Sequence, residues 1–84
     1  PNPFNPVTTI SYRVRTSGDI KLNIYNLLGQ EVNTLVNAHR NGNQVYQVIW
    51  NGRNSYGQPL PSGIYFTRLS TGEQTIIKKI TLLK

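Results

Sequence analysis

The 84-residue chain is 37% hydrophobic and 14% charged, carries a formal charge of +6, and contains no cysteine. A chain of this length builds one domain around one core, and without a thiol it has neither a disulfide nor a thiolate metal site. No apolar run approaches the roughly 20 residues of a membrane span, so membrane insertion is not expected.

The opening Pro1-Asn2-Pro3-Phe4-Asn5-Pro6 forbids regular structure. Each proline fixes φ, removes an amide donor and pushes the residue before it to extended geometry. Residues 1–7 therefore read as a stiff, extended lead-in, and residues 8–84 as the folded unit. Proline is not a translation start, so any export signal is expected upstream.

Strand patterns follow. Residues 8–15 alternate Ile10, Tyr12 and Val14 against Ser11, Arg13 and Arg15, as a half-buried strand does. Residues 19–25 turn Ile20, Leu22 and Ile24 inward and Lys21, Asn23 and Tyr25 to the other face. Gly29 suits the positive φ of the turn that comes next. Val32, Leu35 and Val36 fit either period, and shortness favours a strand over a helix. Residues 37–43 read as a loop, with Asn41-Gly42 as the tight turn. Residues 44–50 carry β-formers on both faces, which predicts a central strand. After a long connection at 51–63, residues 63–70 and 73–84 form a hairpin whose second strand runs to Lys84.

Six or seven short strands and no helix predict an all-β fold, an Ig-like antiparallel β-sandwich without a disulfide. Its core is expected to hold Ile10, Tyr12, Leu22, Ile24, Val48 and Trp50.

Catalysis needs a base, a nucleophile or a metal, and few candidates are present. His39 sits among polar residues, and Asp19, Glu31 and Glu73 are far apart in sequence. No enzyme and no cofactor are expected. The Asn51 and Asn54 turn offers amides where calcium wants carboxylates, so it reads as a turn stabilised by its side chains. Among the aromatic residues, Tyr56 is the one placed for exposure. The basic residues are dispersed, which predicts weak, salt-screened attraction to polyanions and no specific nucleic-acid partner.

The order of these landmarks carries a resemblance. PNPFNP, Y-N-x-x-G-Q-x-V at Tyr25 to Val32, W-N-G-R-N-S-Y-G from Trp50, S-G-x-Y at Ser62 to Tyr65 and the terminal KKITLLK are the residues concerned. Together they resemble the type A C-terminal sorting domain of the type IX secretion system, which is similar in fold to the Ig-like domain of the flagellar hook-capping protein. The resemblance implies a sorting signal attached to an N-terminal cargo and directed to an outer-membrane shuttle and translocon. A sortase-like peptidase would then remove it near the lead-in of Pro1, Asn2, Pro3, Phe4, Asn5 and Pro6. The exported protein would end at the cell surface or outside the cell. Asn51 and Asn54 stand where the family commonly has aspartate, and Ile80 where methionine is frequent.

The final strand places Ile76, Lys78, Ile80, Leu82 and Lys84 on one face and Ile77, Lys79, Thr81 and Leu83 on the other. Lysine on both faces suits a sheet edge, which a partner reads by β-augmentation. With the resemblance, this makes Lys78, Lys79, Ile80, Leu82, Leu83 and Lys84 the expected address, supported by Gly63 and Tyr65 on the strand beside it. A monomer or a weak edge-strand dimer is expected. Removing Ile80 to Lys84 is expected to block export while leaving the domain partly folded. A carbohydrate- or surface-binding module of an extracellular hydrolase and a hook-capping-like assembly domain are the rival readings.

Overall fold

The computed structural model describes residues 7–84, so Pro1–Pro6 lie outside the described residues. Six strands form: β1 (Thr8–Val14), β2 (Gly18–Tyr25), β3 (Glu31–Arg40), β4 (Gln44–Trp50), β5 (Gly63–Ser70) and β6 (Thr75–Leu82). β1 and β4 make a two-stranded sheet, and the others a four-stranded sheet in the order β3-β2-β5-β6. All pairings are antiparallel. The expected β-sandwich is the observed architecture.

The core lies between the sheets. Ile10, Tyr12 and Val14 of β1 face Ile20, Leu22 and Ile24 of β2, with Val36, Tyr65, Leu69 and Leu82 closing around them. Trp50 is fully buried and presents its ring edge-on to Tyr65, 5.1 Å between centroids. Val48 is half-buried against the same cluster.

Several expectations need correction. β4 is not central: among the described residues it pairs with β1 alone, and Val45 and Ile49 lie on the outer face, 55% and 62% exposed. Apolar residues on both faces of a strand do not guarantee a second covering layer. The loop expected over residues 37–43 shrinks to 41–43, because β3 continues to Arg40 opposite Gly18. His39 is therefore a strand residue; its Nδ1 lies 3.7 Å from Asp19 Oδ1, with both side chains open to solvent.

The awkward spacing of Val32, Leu35 and Val36 has a structural cause. Along β2, the partner register jumps between Val36 and Thr34 and again between Asn33 and Glu31. Leu35 and Val32 are thus the extra residues of two bulges, which lets ten residues of β3 run beside eight of β2. Next to the first bulge, Asn23 is buried (1% exposed), although alternation alone sends it outward. Its Nδ2 donates to Thr34 Oγ1 at 2.9 Å, so the buried amide is satisfied.

The β3–β4 turn also differs from the expected Asn-Gly type. Asn43, not Gly42, adopts the left-handed conformation, at φ 59°. Gly42 is required for a different reason. A Cβ there would stand 2.6 Å from both Arg15 O and Ser17 N, backbone atoms of the β1–β2 turn. The two turns are laced together by Asn43 N donating to Arg15 O at 3.0 Å and Gly42 N to Ser17 Oγ at 2.7 Å. Gly42→Ala is expected to destabilise the domain by about 1–3 kcal/mol, the usual cost of overpacking. A urea titration measures it, and an unchanged midpoint would contradict the tight approach.

Candidate functional site

β6 lies at the edge of the four-stranded sheet, as its lysines on both faces foretell. Its register beside β5 pairs Gly63 with Leu82, Tyr65 with Ile80, Phe66 with Lys79 and Thr67 with Lys78. The expected address residues are thereby brought together on one edge, although they differ in environment. Lys78, Lys79, Leu83 and Lys84 are exposed, Ile80 is half-buried, and Leu82 is buried. β6 ends at Leu82, two residues earlier than expected, and Lys84 N is held by Ser62 Oγ at 3.0 Å.

Leu82 is a core residue for a local reason. Gly52 takes a positive φ of 74° after Trp50, and a Cβ there would meet Leu82 Cδ1 at 3.0 Å. The glycine turns the chain and leaves room for the leucine. Tyr65, one strand away, is buried beside Trp50 and donates its hydroxyl to Pro61 O at 2.7 Å. Burial pushes the Tyr65 phenol above its ordinary value. Both residues anchor the edge from within; Lys79 lies on the outer face, and Lys78, though exposed, is on the same face as Ile80 at the rim of the sandwich.

Two loops at this end share one construction that strand-by-strand reading of the sequence missed. In Asn26-Leu-Leu-Gly-Gln30, Asn26 Oδ1 accepts from Leu28 N and Gln30 N, both at 3.0 Å, while its Nδ2 donates to Gln30 Oε1 at 2.8 Å. In Asn54-Ser-Tyr-Gly-Gln58, Asn54 Oδ1 accepts from Tyr56 N and Gln58 N at 3.0 and 2.9 Å, and its Nδ2 donates to Gln58 Oε1 at 2.9 Å. Gly29 and Gly57 have matching positive φ, 79° and 80°. The shared spacing N-x-x-G-Q was the available signal. The Asn51 and Asn54 segment is thus the side-chain-stabilised turn expected, further tied by Arg53 N to Asn51 Oδ1 and by Arg53 Nη1 to Gly57 O. Asn54→Ala removes both acceptor bonds and is expected to cost about 1–2 kcal/mol, as loss of an equivalent cap does. The thermal melt should fall accordingly, and an unaffected melt would mean the loop does not need the amide.

Each loop lifts apolar side chains into solvent, with Leu28 83% and Tyr56 87% exposed. Trp50, Tyr12 and Tyr65 are buried, so these three rings form no surface stacking platform with Tyr56. Among the described residues, no group of three or more His, Cys, Asp or Glu side chains stands close enough to hold a metal.

Two antiparallel sheets packed face to face, with a lysine-bearing strand at one edge and Asx-built loops, define an Ig-like β-sandwich. The chain belongs to the secretion system C-terminal sorting domain family, whose model matches residues 1–83. This agrees with the type IX sorting domain that the sequence resembles. The fold is similar to that of the crystal structure of FlgD from P. aeruginosa, with a TM-score of 0.66 at 23% identity. That alignment covers 92% of this chain and 60% of the FlgD chain, and shows likeness of fold. No curated protein matches the chain.

Proposed function

We propose that the domain is a non-enzymatic address label for type IX secretion, carrying an N-terminal cargo to an outer-membrane shuttle and translocon. A sortase-like peptidase then cleaves near the prolyl lead-in, and the cargo is released or retained at the surface. One observation carries the reading beyond family membership: among the described residues, β6, the segment read as the address, is an edge strand paired with β5 alone. A free edge offers a row of amides and carbonyls for affinity, and alternate side chains for specificity. Lys78, Lys79, Leu83 and Lys84 supply the exposed side chains, and Gly63–Tyr65 hold the edge from the neighbouring strand.

The test is a reporter fused ahead of the domain in a host with type IX machinery. The exposed pair is reversed, Lys78→Glu with Lys79→Glu, and Leu83 and Lys84 are removed in a second variant. All four residues are exposed, so folded domain should persist, checked by its thermal melt, while about tenfold less reporter leaves the periplasm, the effect of losing roughly 1.4 kcal/mol of recognition. Export of both variants at the wild-type level would refute the reading and favour a surface-binding module.

A further inference from the structure

The sandwich is closed along one side and open along the other. On the β3–β4 side the loop after β4 spans the gap, with Asn33 Nδ2 donating to Arg53 O at 2.8 Å and Ser55 N to Val32 O at 3.0 Å. On the other side, among the described residues, β1 pairs only with β4 and β6 only with β5, so two strand edges without a described partner flank the seam. A cleft of about 210 Å³ lies between them. Its floor includes the buried Ile10, Tyr12 and Leu69, while Arg13, Arg15 and Lys78 stand at its margins. No carboxylate lines it, although Glu73 adjoins the lining residue Gln74 in the chain. Among the described residues, none of these three cations has a carboxylate within ion-pair distance.

We propose that this seam receives an extended, acidic segment of a protein partner, laid along β6 as a fifth strand of the larger sheet. The inference rests on the reading of β6 as the address and names the chemistry of what reads it. Three features converge on this occupant. The free edge matches the hydrogen-bonding repeat of a peptide backbone, which a nucleic acid lacks. The apolar floor takes the inward side chains of an alternating strand. The unpaired cations select carboxylates and repel a basic strand, which supplies specificity by repulsion as well as attraction.

The experiment titrates the isotope-labelled full chain with the peptide Glu-Glu-Val-Thr-Val-Thr-Glu-Glu, and with its counterpart in which every glutamate is lysine. Amide shifts should concentrate on Thr75–Leu82 and Thr8–Val14, and the acidic peptide should bind at least about tenfold more tightly than the basic one. Raising salt should weaken the acidic peptide, since exposed charges are screened. The combined Arg13→Glu, Arg15→Glu and Lys78→Glu variant, all at exposed positions, should reverse the preference. Shifts centred on β3, equal affinity for the two peptides, or an unchanged preference in the variant would each overturn the inference. Those results would leave the sorting reading standing, because only export assays on the β6 variants decide that.

Discussion

Trp50→Ala is expected to unfold the domain at ordinary temperature. Truncating a buried aromatic costs about 3–5 kcal/mol, against a total of about 5 kcal/mol for a small single-core domain. Three contacts fail together at this position. The indole is fully buried, its ring meets Tyr65 edge-on, and its Nε1 donates to Arg53 O at 2.9 Å. The last bond ties the end of β4 to the loop that closes one side of the sandwich. Trp50→Phe keeps one aromatic ring but loses that bond and leaves a cavity where the rest of the indole was, so its expected cost is intermediate, about 2–3 kcal/mol. Circular dichroism melts of the three proteins should rank them wild type, Phe, Ala. An alanine variant melting within a few degrees of wild type would show that the core is centred elsewhere.

Removing Ile80–Lys84 is expected to unfold the domain too, which corrects the expectation that such a truncation stays partly folded. Leu82 is only 1% exposed and fills the space left by Gly52, and Ile80 packs against the core from the same face. Loss of Leu82 alone costs about 2–5 kcal/mol. The truncation also strips Gly63, Ile64 and Tyr65 of their β6 partners. Removing only Leu83 and Lys84 takes away one exposed apolar side chain and the Lys84 N bond to Ser62 Oγ, and should lower the melting temperature by only a few degrees. If the longer truncation kept a cooperative melt near wild type, Leu82 would not be the core residue its burial indicates. The distinction matters for secretion, because a trapped reporter on an unfolded domain says nothing about the address.

What was legible in the sequence was set by local period. β1 and β2 alternate in the sequence, and Trp50 and the edge position of β6 followed from composition. Burial that depends on partners elsewhere in the chain was not legible. Asn23 turns inward because Leu35 bulges on the facing strand, and nothing near Asn23 announces that. β4 looks central because Val45 and Ile49 are apolar, whereas its place depends on how many strands the chain commits to each sheet. Gly42 looks like a turn glycine, and only the approach of residues 15–17 explains it. For the address, the lysine pattern marked the edge, but the division between exposed Lys78 and Lys79 and buried Leu82 required the sandwich.

The paired Asn-x-x-Gly-Gln loops separate rigidity from the identity of the displayed residues. Each closes through its own Asn, Gly and Gln, by main-chain bonds (Gly29 N to Asn26 O and Gly57 N to Asn54 O, both 3.0 Å) as well as side-chain ones. The two middle residues contribute only their backbones to that closure, so Leu27, Leu28, Ser55 and Tyr56 are free to be exchanged. The molecule therefore carries two fixed mounts with interchangeable heads. A spectroscopic label attached through Leu28→Cys or Tyr56→Cys would sit in a defined orientation without loading the core. In a chain with no native cysteine, that chemistry is site-selective from the outset.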